Sequence, residues 1–243
     1  MATPDLIKNY TKGIKGIIFD YGGTIDTGGE HWSWVIWRAW QQAGVETSLP
    51  TFREAYVYAE RELARTLHIL PHHDFKNLLE IKINIELQWL AEQGEFPARD
   101  VEPKAMEIAS ICEAQAAAHV KDAAAVLEVL SKKYPMVLVS NFYGNISTVL
   151  ETYGIKKYFS KIVESSVVGV RKPDPKIFTL GVEALGLEPG ECLVVGDSYK
   201  KDIVPALAAG CKAVWIKGPG WSGEEDMQQY PETIKSLNEL EEI

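Results

Sequence analysis

The stretch "IIFDYGGT", residues 17–24, decides the fold of this chain. Three apolar residues end in Asp20, and a glycine-rich turn follows at once. A carboxylate at the C-terminal tip of a buried strand indicates a phosphate or metal site, because ligands of parallel sheets bind beyond the carboxyl ends of the strands. Chemistry around such an aspartate usually needs a second carboxylate two residues later, which handles the proton of the leaving group. Gly22 occupies that position here.

Apolar runs in the second half of the chain predict four further strands, at 136–140, 161–165, 192–197 and 212–216. Helical patterns lie between them, at 144–153, 175–186 and about 201–209. Each strand–helix–strand step favours parallel pairing with helices on both faces of the sheet. We therefore predict an α/β fold with a Rossmann-like parallel sheet core. Residues 232–243 are predicted to form one more amphipathic helix.

The long stretch between the first strand and residue 136 has no strand pattern. It contains four helical patterns, at 31–44, about 52–68, 74–93 and 101–118. Four helices are too many for a simple crossover. We therefore predict a core domain of residues 1–28 and 120–243 and an inserted all-helical cap domain of residues 29–119, with hinges at residues 28–29 and 119–122.

The composition, 46% hydrophobic and 24% charged over 243 residues, is ordinary for a globular protein. No apolar run approaches the roughly 20 residues of a membrane span, and residues 1–15 lack the apolar stretch of a signal peptide. We therefore expect a cytoplasmic protein without a membrane partner. The net charge of −9 argues against nucleic-acid binding, which needs a basic face. The net charge still permits the binding of an anionic small molecule, because a bound cation and nearby lysines can make the local potential positive.

The three cysteines, at positions 112, 192 and 211, have neither the number of a disulfide framework nor the spacing of metal ligands. Cys192 and Cys211 adjoin apolar strand patterns. We expect both to be ordinary buried thiols, since free cysteine is usually buried. The sequence gives no indication of the oligomeric state.

Reactive side chains recur where the predicted strands end. Asp20 ends the first strand, Ser140 ends the second, and Lys172 lies in the loop after the third. Asp197 ends the fourth strand, and Asp202 follows five residues later. The carboxyl ends of parallel strands share one edge of the sheet, so this order predicts a single site with a hydroxyl, a cation and three carboxylates.

These segments resemble the four motifs of the haloacid dehalogenase-like (HAD) hydrolases, and the resemblance extends over the whole chain, with a helical cap of the C1 type. "FDYGGT" is similar to the first motif, Asp-x-Asp-Gly-Thr, which implies that Asp20 is the nucleophile. "VLVSN" is similar to the second, in which Ser140 binds the transferring phosphoryl group. "VVGVRKPDPKIF" resembles the third, with Lys172 as the neutralising cation. "VVGDSYKKDI" resembles the fourth, with Asp197 and Asp202 at a magnesium ion.

The resemblance implies a Mg²⁺ cofactor bound by Asp20, the carbonyl of Gly22 and Asp197, with Asp202 bound directly or through water. Elementary electrostatics agrees, because a carboxylate attacks phosphorus only where a cation shields the two negative charges.

Four further residues are predicted to bind the substrate: Gly23, Thr24, Asn141 and Arg38. The N–H groups of the turn would hold phosphoryl oxygens as charge develops. Arg38 lies among four tryptophans of the predicted first cap helix, at positions 32, 34, 37 and 40. Two interpretations of these tryptophans stay open, since they either pack the cap or form an aromatic lid over a flat substrate.

Gly22 departs from the resembling motif, in which the aspartate carbonyl binds Mg²⁺ and the carboxyl protonates the leaving oxygen. A glycine keeps the carbonyl and loses the acid, whose assistance is typically worth about 10²- to 10⁴-fold. The loss is severe for alkyl phosphates and tolerable for acyl or aryl phosphates, whose leaving groups need no proton. Asp26 and Glu30 lie close downstream and are candidates for a replacement acid.

We predict a Mg²⁺-dependent phosphatase that acts on a small phosphorylated metabolite through an aspartyl-phosphate. The alternative is a non-catalytic protein of the same fold that binds phosphate or a partner. A non-catalytic protein would have no reason to keep a cluster of like charges, so this cluster favours the enzyme. The resemblance argues against three other activities of the family. A 2-haloacid dehalogenase needs no metal, so the acid pair Asp197 and Asp202 argues against it. A phosphonatase needs a lysine soon after the first motif, where residues 16–75 contain none, and a phosphoglucomutase needs the aspartate that Gly22 replaces.

Overall fold

The computed structural model describes residues 4–243, so the first three residues of the predicted core domain lie outside the described residues. The strands are β1 Gly16–Phe19, β2 Met136–Ser140, β3 Lys161–Glu164, β4 Cys192–Gly196, β5 Lys212–Ile216 and β6 Thr233–Ile234. The helices are α1 Pro4–Tyr10, α2 Trp32–Gln42, α3 Leu49–Arg65, α4 Phe75–Glu92, α5 Val101–Ser131, α6 Ile146–Thr152, α7 Ser165–Val168, α8 Lys176–Leu185, α9 Val204–Ala208 and α10 Gly223–Met227.

The strands form one parallel sheet in the order β3-β2-β1-β4-β5-β6, which confirms the predicted α/β fold class. Every residue of β1, β2 and β4 is buried, as expected where helices cover both faces. The chain leaves β1 toward β2 on one side and returns to β4 on the other. The strand order therefore reverses beside β1, and a ligand site is expected at its carboxyl end.

Helices α2–α5 lie between β1 and β2 in the chain and begin where the sequence supplies caps. Ser48 accepts a hydrogen bond from the backbone of Thr51 at the start of α3. Asp74 and Asn77 form a reciprocal capping box at the start of α4. Each cap satisfies backbone N–H groups that the first helical turn leaves without partners.

The last inserted helix extends beyond the predicted range of 101–118. Helix α5 continues without a break through 119–122, where the sequence predicted a hinge, and ends at Ser131. That segment is rich in alanine, the strongest helix former, and Val120 and Ala123 continue the buried stripe. The predicted helix end at residue 118 is therefore wrong, and the hinge near residues 119–122 stays a prediction.

The predicted C-terminal helix is wrong. Thr233 and Ile234 pair with β5 as a sixth parallel strand, and a single 3₁₀ turn covers Leu237–Leu240. The apolar residues at 234, 237 and 240 recur every three positions, a spacing that fits a helix and equally a strand followed by a turn. Ile234 and Leu240 are both fully buried in this arrangement.

All three cysteines are free and buried, which confirms the prediction for Cys192 and Cys211. Within residues 4–243, no helix is both long enough and apolar enough to cross a membrane.

Candidate active site

Five predicted residues meet at the carboxyl edge of the sheet. Asp20 directly follows β1, and its Oδ1 accepts a hydrogen bond from Ser140 Oγ at 2.9 Å. Lys172 Nζ lies 2.7 Å from the same oxygen and 2.6 Å from Oδ1 of Asp202. Lys172 therefore bridges the first and fourth motifs of the sequence, and the second motif supplies the hydroxyl.

Asn141 positions Lys172. Its amide oxygen accepts from the backbone N–H of Lys172 at 2.9 Å, and its amide nitrogen donates to the Lys172 carbonyl at 3.1 Å. The amide oxygen and the amide nitrogen of Asn141, which the sequence predicted to bind substrate, therefore each already have a hydrogen-bond partner. Burial alone would lower the pKa of Lys172, but the charges of Asp20 and Asp202 outweigh it and raise the pKa above its ordinary value.

Asp197 and Asp202 are held by the loop that follows β4. Thr24 Oγ1 donates to Oδ1 of Asp197 at 3.0 Å. The backbone N–H of Ser198 donates to Oδ2 of Asp202 at 3.0 Å, within a single π-helical turn, Tyr199–Ile203. Such turns are frequent at functional sites.

The close approach of Asp197 to the turn after Asp20 explains why position 23 of the first motif is a glycine. A Cβ on Gly23 would lie 2.3 Å from a carboxylate oxygen of Asp197, and its φ of +93° disfavours any side chain.

Three carboxylates in this site suit a divalent metal ion. Asp20, Asp197 and Asp202 each offer an oxygen, and these oxygens lie within 4.8 Å of one another. Burial and the neighbouring carboxylates raise the pKa of Asp197 well above its usual range, and burial raises that of Asp202 to about 6. Their crowding leaves negative charge uncompensated, and hard oxygen donors are the ligands that Mg²⁺ prefers. The residues present fit the predicted ion.

Gly22 lies in the wall of the same cavity as Asp20. A Cβ built on Gly22 meets no atom within 4 Å, and its φ lies outside the left-handed region. The backbone at position 22 would accept a side chain, so the missing carboxylate is not imposed by the fold.

The turn after Asp20 offers different N–H groups from those predicted. The Gly23 N–H donates to Oδ1 of Asp26 at 2.7 Å, and the Thr24 N–H donates to the carbonyl of Tyr21 at 3.1 Å. Gly23 and Thr24 therefore build the turn and do not present free donors. Within residues 4–243, the N–H groups of Tyr21 and Gly22 have no hydrogen-bond partner, so these two are the free donors beside Asp20.

Asp26 is fully buried, and burial raises its pKa to about 8. Besides the Gly23 N–H it accepts a hydrogen bond from Trp32 Nε1 at 3.0 Å. Both carboxyl oxygens are therefore engaged, and they tie the turn after Asp20 to α2. This geometry favours a positioning role over the replacement acid considered from the sequence.

Arg38 lies away from Asp20. Its guanidinium pairs with Glu30 at 2.5 and 2.6 Å beside a separate cavity of about 200 Å³, and half of the side chain is exposed. Neither residue is in the wall of the cavity that contains Asp20. The geometry therefore supports neither Arg38 as a substrate-binding residue nor Glu30 as a replacement acid.

The tryptophans of α2 divide between the two interpretations. Trp37 and Trp40 pack against Phe52 at ring distances of 5.2 and 5.1 Å. Trp34 Nε1 donates to the carbonyl of Gly220 at 2.7 Å. Of the four, only Trp32 lines the cavity beside Asp20, so packing accounts for most of this pattern.

A cavity of about 980 Å³, the principal cavity, opens from the Asp20 cluster toward α3 and α4. Its wall includes residues that the sequence analysis did not assign to the site: His31, Tyr56, Glu60, Lys82, Tyr143 and Trp221. Lys82 is nearly buried and contacts Glu60. The sequence did contain a signal for Lys82, because Lys82 and Glu86 are charged residues four positions apart on the otherwise apolar face of α4.

The chain belongs to the haloacid dehalogenase-like hydrolases, whose family model matches residues 14–210. Among curated proteins, it is 41% identical over 63 residues to a phosphoserine phosphatase from Thermus thermophilus and 35% identical over 124 residues to the phosphoglycolate phosphatase of Escherichia coli. These segments cover 26% and 50% of this chain and only 25% and 48% of the two relatives.

Solved structures agree on the fold. A protein described as a HAD-hydrolase from Bacillus subtilis, bound to magnesium, superimposes with a TM-score of 0.59 at 17% identity, covering 94% of this chain and 97% of its own. Dehalogenases as well as phosphatases have this fold. At such identity the likeness shows the fold alone, and the activity has to be argued from the site.

Proposed function

We propose that the protein is a Mg²⁺-dependent phosphatase that transfers the phosphoryl group of a small phosphorylated substrate to Asp20. One observation carries this proposal: Asp20 contacts Lys172 and Ser140 and lies within metal-binding reach of Asp197 and Asp202. The matched phosphatases support the same reaction class.

The contacts of Asp20 identify the attacking atom. Ser140 and Lys172 both bind Oδ1, so Oδ2 is free to approach phosphorus. A bound Mg²⁺ would shield the negative charges of nucleophile and phosphate. Lys172 stays protonated and adds positive charge beside the nucleophile. The free N–H group of Gly22, which lies in the cavity wall, would hold a phosphoryl oxygen. Water then hydrolyses the aspartyl-phosphate.

The environment of the leaving group sets the substrate class. Position 22 provides no carboxyl, and the two oxygens of Asp26 already accept hydrogen bonds from Gly23 and Trp32. Because position 22 has no carboxyl and both oxygens of Asp26 are held in these bonds, the proposed substrates are acyl or aryl phosphates, whose leaving groups are stable anions.

Two other HAD reactions fit the site less well. A metal-independent dehalogenation does not account for the pair of carboxylates Asp197 and Asp202 beside Asp20. Lys82 does reach the principal cavity, but the charge of Glu60 outweighs burial and raises the pKa of Lys82 above its ordinary value. A lysine held protonated is not the amine nucleophile that a phosphonatase-type Schiff base requires.

A phosphate-release assay tests the proposal. The purified protein is incubated with acyl, aryl and alkyl phosphates, with Mg²⁺ or with a chelator, beside the Asp20→Asn variant. We expect Mg²⁺-dependent release that is fastest for acyl and aryl phosphates and absent in the variant. No release from any of the three classes, or equal release without Mg²⁺, would contradict the proposal.

A further inference from the structure

Glu60 lines the principal cavity, and one of its carboxylate oxygens accepts no hydrogen bond within the part of the chain that the structure describes. The residue lies on α3, and 40% of its side chain is accessible, against 5% for its partner Lys82. Its Oε1 accepts hydrogen bonds from Lys82 and from the hydroxyl of Tyr143, the latter at 3.1 Å. Within residues 4–243, Oε2 accepts none.

Glu60 is a pure hydrogen-bond acceptor. Burial raises its pKa, but the charge of Lys82 and the hydrogen bonds from Lys82 and Tyr143 together lower it below the usual value. The carboxylate is therefore ionised at neutral pH and has no proton to donate. Lys82 and Tyr143 come from α4 and from the loop after β2, so two separate elements fix its orientation.

Three rings of the cavity wall stand near this carboxylate. His31 and Trp221 are 5.3 Å apart between ring centres, Tyr56 and Trp221 are 5.5 Å apart, and Lys82 lies 4.0 Å from the ring of Tyr56. Burial and the charges of Lys201 and Lys82 lower the pKa of His31 to about 4, so its ring is neutral.

The neutral ring of His31 also offers a hydrogen bond. Its Nδ1 accepts from the backbone N–H of Ser33 at 3.1 Å, which places the ring proton on Nε2. The wall thus combines flat apolar faces with one fixed acceptor and one neutral donor.

We propose that Glu60 binds a hydroxyl group on the organic part of the substrate, whose flat body contacts the rings of His31, Tyr56 and Trp221. The substrate class is therefore a hydroxyl-bearing aryl phosphate, and this inference rests on the phosphatase function proposed above. A carboxylate in the same place is disfavoured, because Glu60 is negative and the charge of Lys82 is already paired. The cavity of about 980 Å³ is at the upper end of the range for drug-sized ligands, so it admits such a body.

Non-hydrolysable ligands separate recognition from catalysis. Benzylphosphonates that carry a hydroxymethyl, methyl or carboxylate group in the meta or para position keep the phosphoryl oxygens and have no bond that the enzyme cleaves. Titration calorimetry with Mg²⁺ gives their affinities for the wild-type protein. The better hydroxymethyl isomer should bind about 10- to 100-fold more tightly than its methyl analogue, as for a hydrogen bond to a charged group.

Variants assign this preference to Glu60. Glu60→Gln should bring the hydroxymethyl-to-methyl ratio close to one, whereas Glu54→Gln, an exposed control on the same helix, should leave it unchanged. Because Glu60→Gln leaves Lys82 without its partner and risks unfolding, the double variant Glu60→Gln/Lys82→Met removes both charges together.

Equal wild-type affinities for the hydroxymethyl and methyl ligands, tighter binding of the carboxylate, or no binding of any of them would overturn the inference. If the affinity ratio is as expected but no aryl phosphate releases phosphate, the proposed phosphatase function fails and the recognition site stands.

Discussion

Gly22→Asp tests how this active site works without the second carboxylate of its first motif. The structure makes the substitution feasible, because a Cβ at Gly22 meets no atom within 4 Å and its φ is compatible with a side chain. The new carboxyl would line the principal cavity beside Asp20. Neither backbone strain nor a steric clash is expected to mask its effect.

The magnitude follows from the chemistry of the leaving oxygen. In phosphoryl transfer this oxygen already carries much negative charge in the loose transition state, so without a proton donor only a stable anion departs quickly. The native enzyme should therefore show a steep fall in kcat/KM as the pKa of the leaving group rises. Gly22→Asp should raise kcat/KM for alkyl phosphates by up to about 10²- to 10⁴-fold, with little change for acyl phosphates.

The assay is a plot of log kcat/KM against leaving-group pKa, measured with Mg²⁺ for a series of aryl and alkyl phosphates. Gly22→Asn is the matched control, because it adds a side chain of the same size without an acid. The slope should flatten for Gly22→Asp only. An unchanged slope, or equal flattening in Gly22→Asn, would refute the idea that the missing acid limits the reaction.

Four further outcomes are expected. Asp20→Asn should abolish phosphate release while far-UV circular dichroism stays that of the wild type, since the amide keeps the shape and loses the nucleophile; activity near that of the wild type would place the reaction elsewhere. Mg²⁺ at about 100 times its Kd should add about 2.7 kcal/mol to the free energy of unfolding. The Asp202→Asn variant should gain less stability from the same Mg²⁺ concentration. A melting temperature insensitive to Mg²⁺ would contradict the metal site. Glu86→Leu should stabilise the protein increasingly as pH rises from about 4.5 toward 8 in denaturant titrations. Burial raises the pKa of Glu86 to about 8, and neither of its oxygens has a hydrogen-bond partner within residues 4–243; a pH-independent difference would contradict this. Helices α2–α4 should move against the sheet when a phosphate mimic binds, with Gly28 as a pivot, and identical scattering profiles with and without the mimic would contradict that motion.

The sheet and the Asp20 cluster could be predicted because both depend on local signals. Short apolar runs bounded by turns define the strands, and the residues at their ends converge at one edge whatever the loops do. The prediction of a C-terminal helix failed because the true structure of that segment depends on distant residues. Two residues carry too little pattern, and only the register against β5 makes Thr233–Ile234 a strand. The division into core and cap domains stays a prediction.

Roles within the site depend on partners that are distant in the chain. Asn141 was predicted to bind substrate, yet its amide oxygen and its amide nitrogen both bond the backbone of Lys172, 31 residues away. Glu60 and Tyr143 are 83 residues apart and meet only when α3 packs above the loop after β2. Residue type and spacing identify polar groups, but only the fold shows which hydrogen-bonding groups remain free.

The charge balance of the site indicates why an acid restored at position 22 would be protonated when it is needed. Asp20, Asp197 and Asp202 carry three negative charges when ionised, which Lys172 and one Mg²⁺ together neutralise. A fourth carboxylate would be uncompensated, so the neighbouring negative charges should raise its pKa toward neutrality. Burial in the same site already raises the pKa of Asp202 to about 6. A raised pKa is what a general acid requires. Gly22→Asp should therefore gain a basic limb in its pH–rate profile with alkyl phosphates, which Gly22→Asn lacks. If the two profiles coincide, the added carboxyl is ionised throughout and the charge argument is wrong.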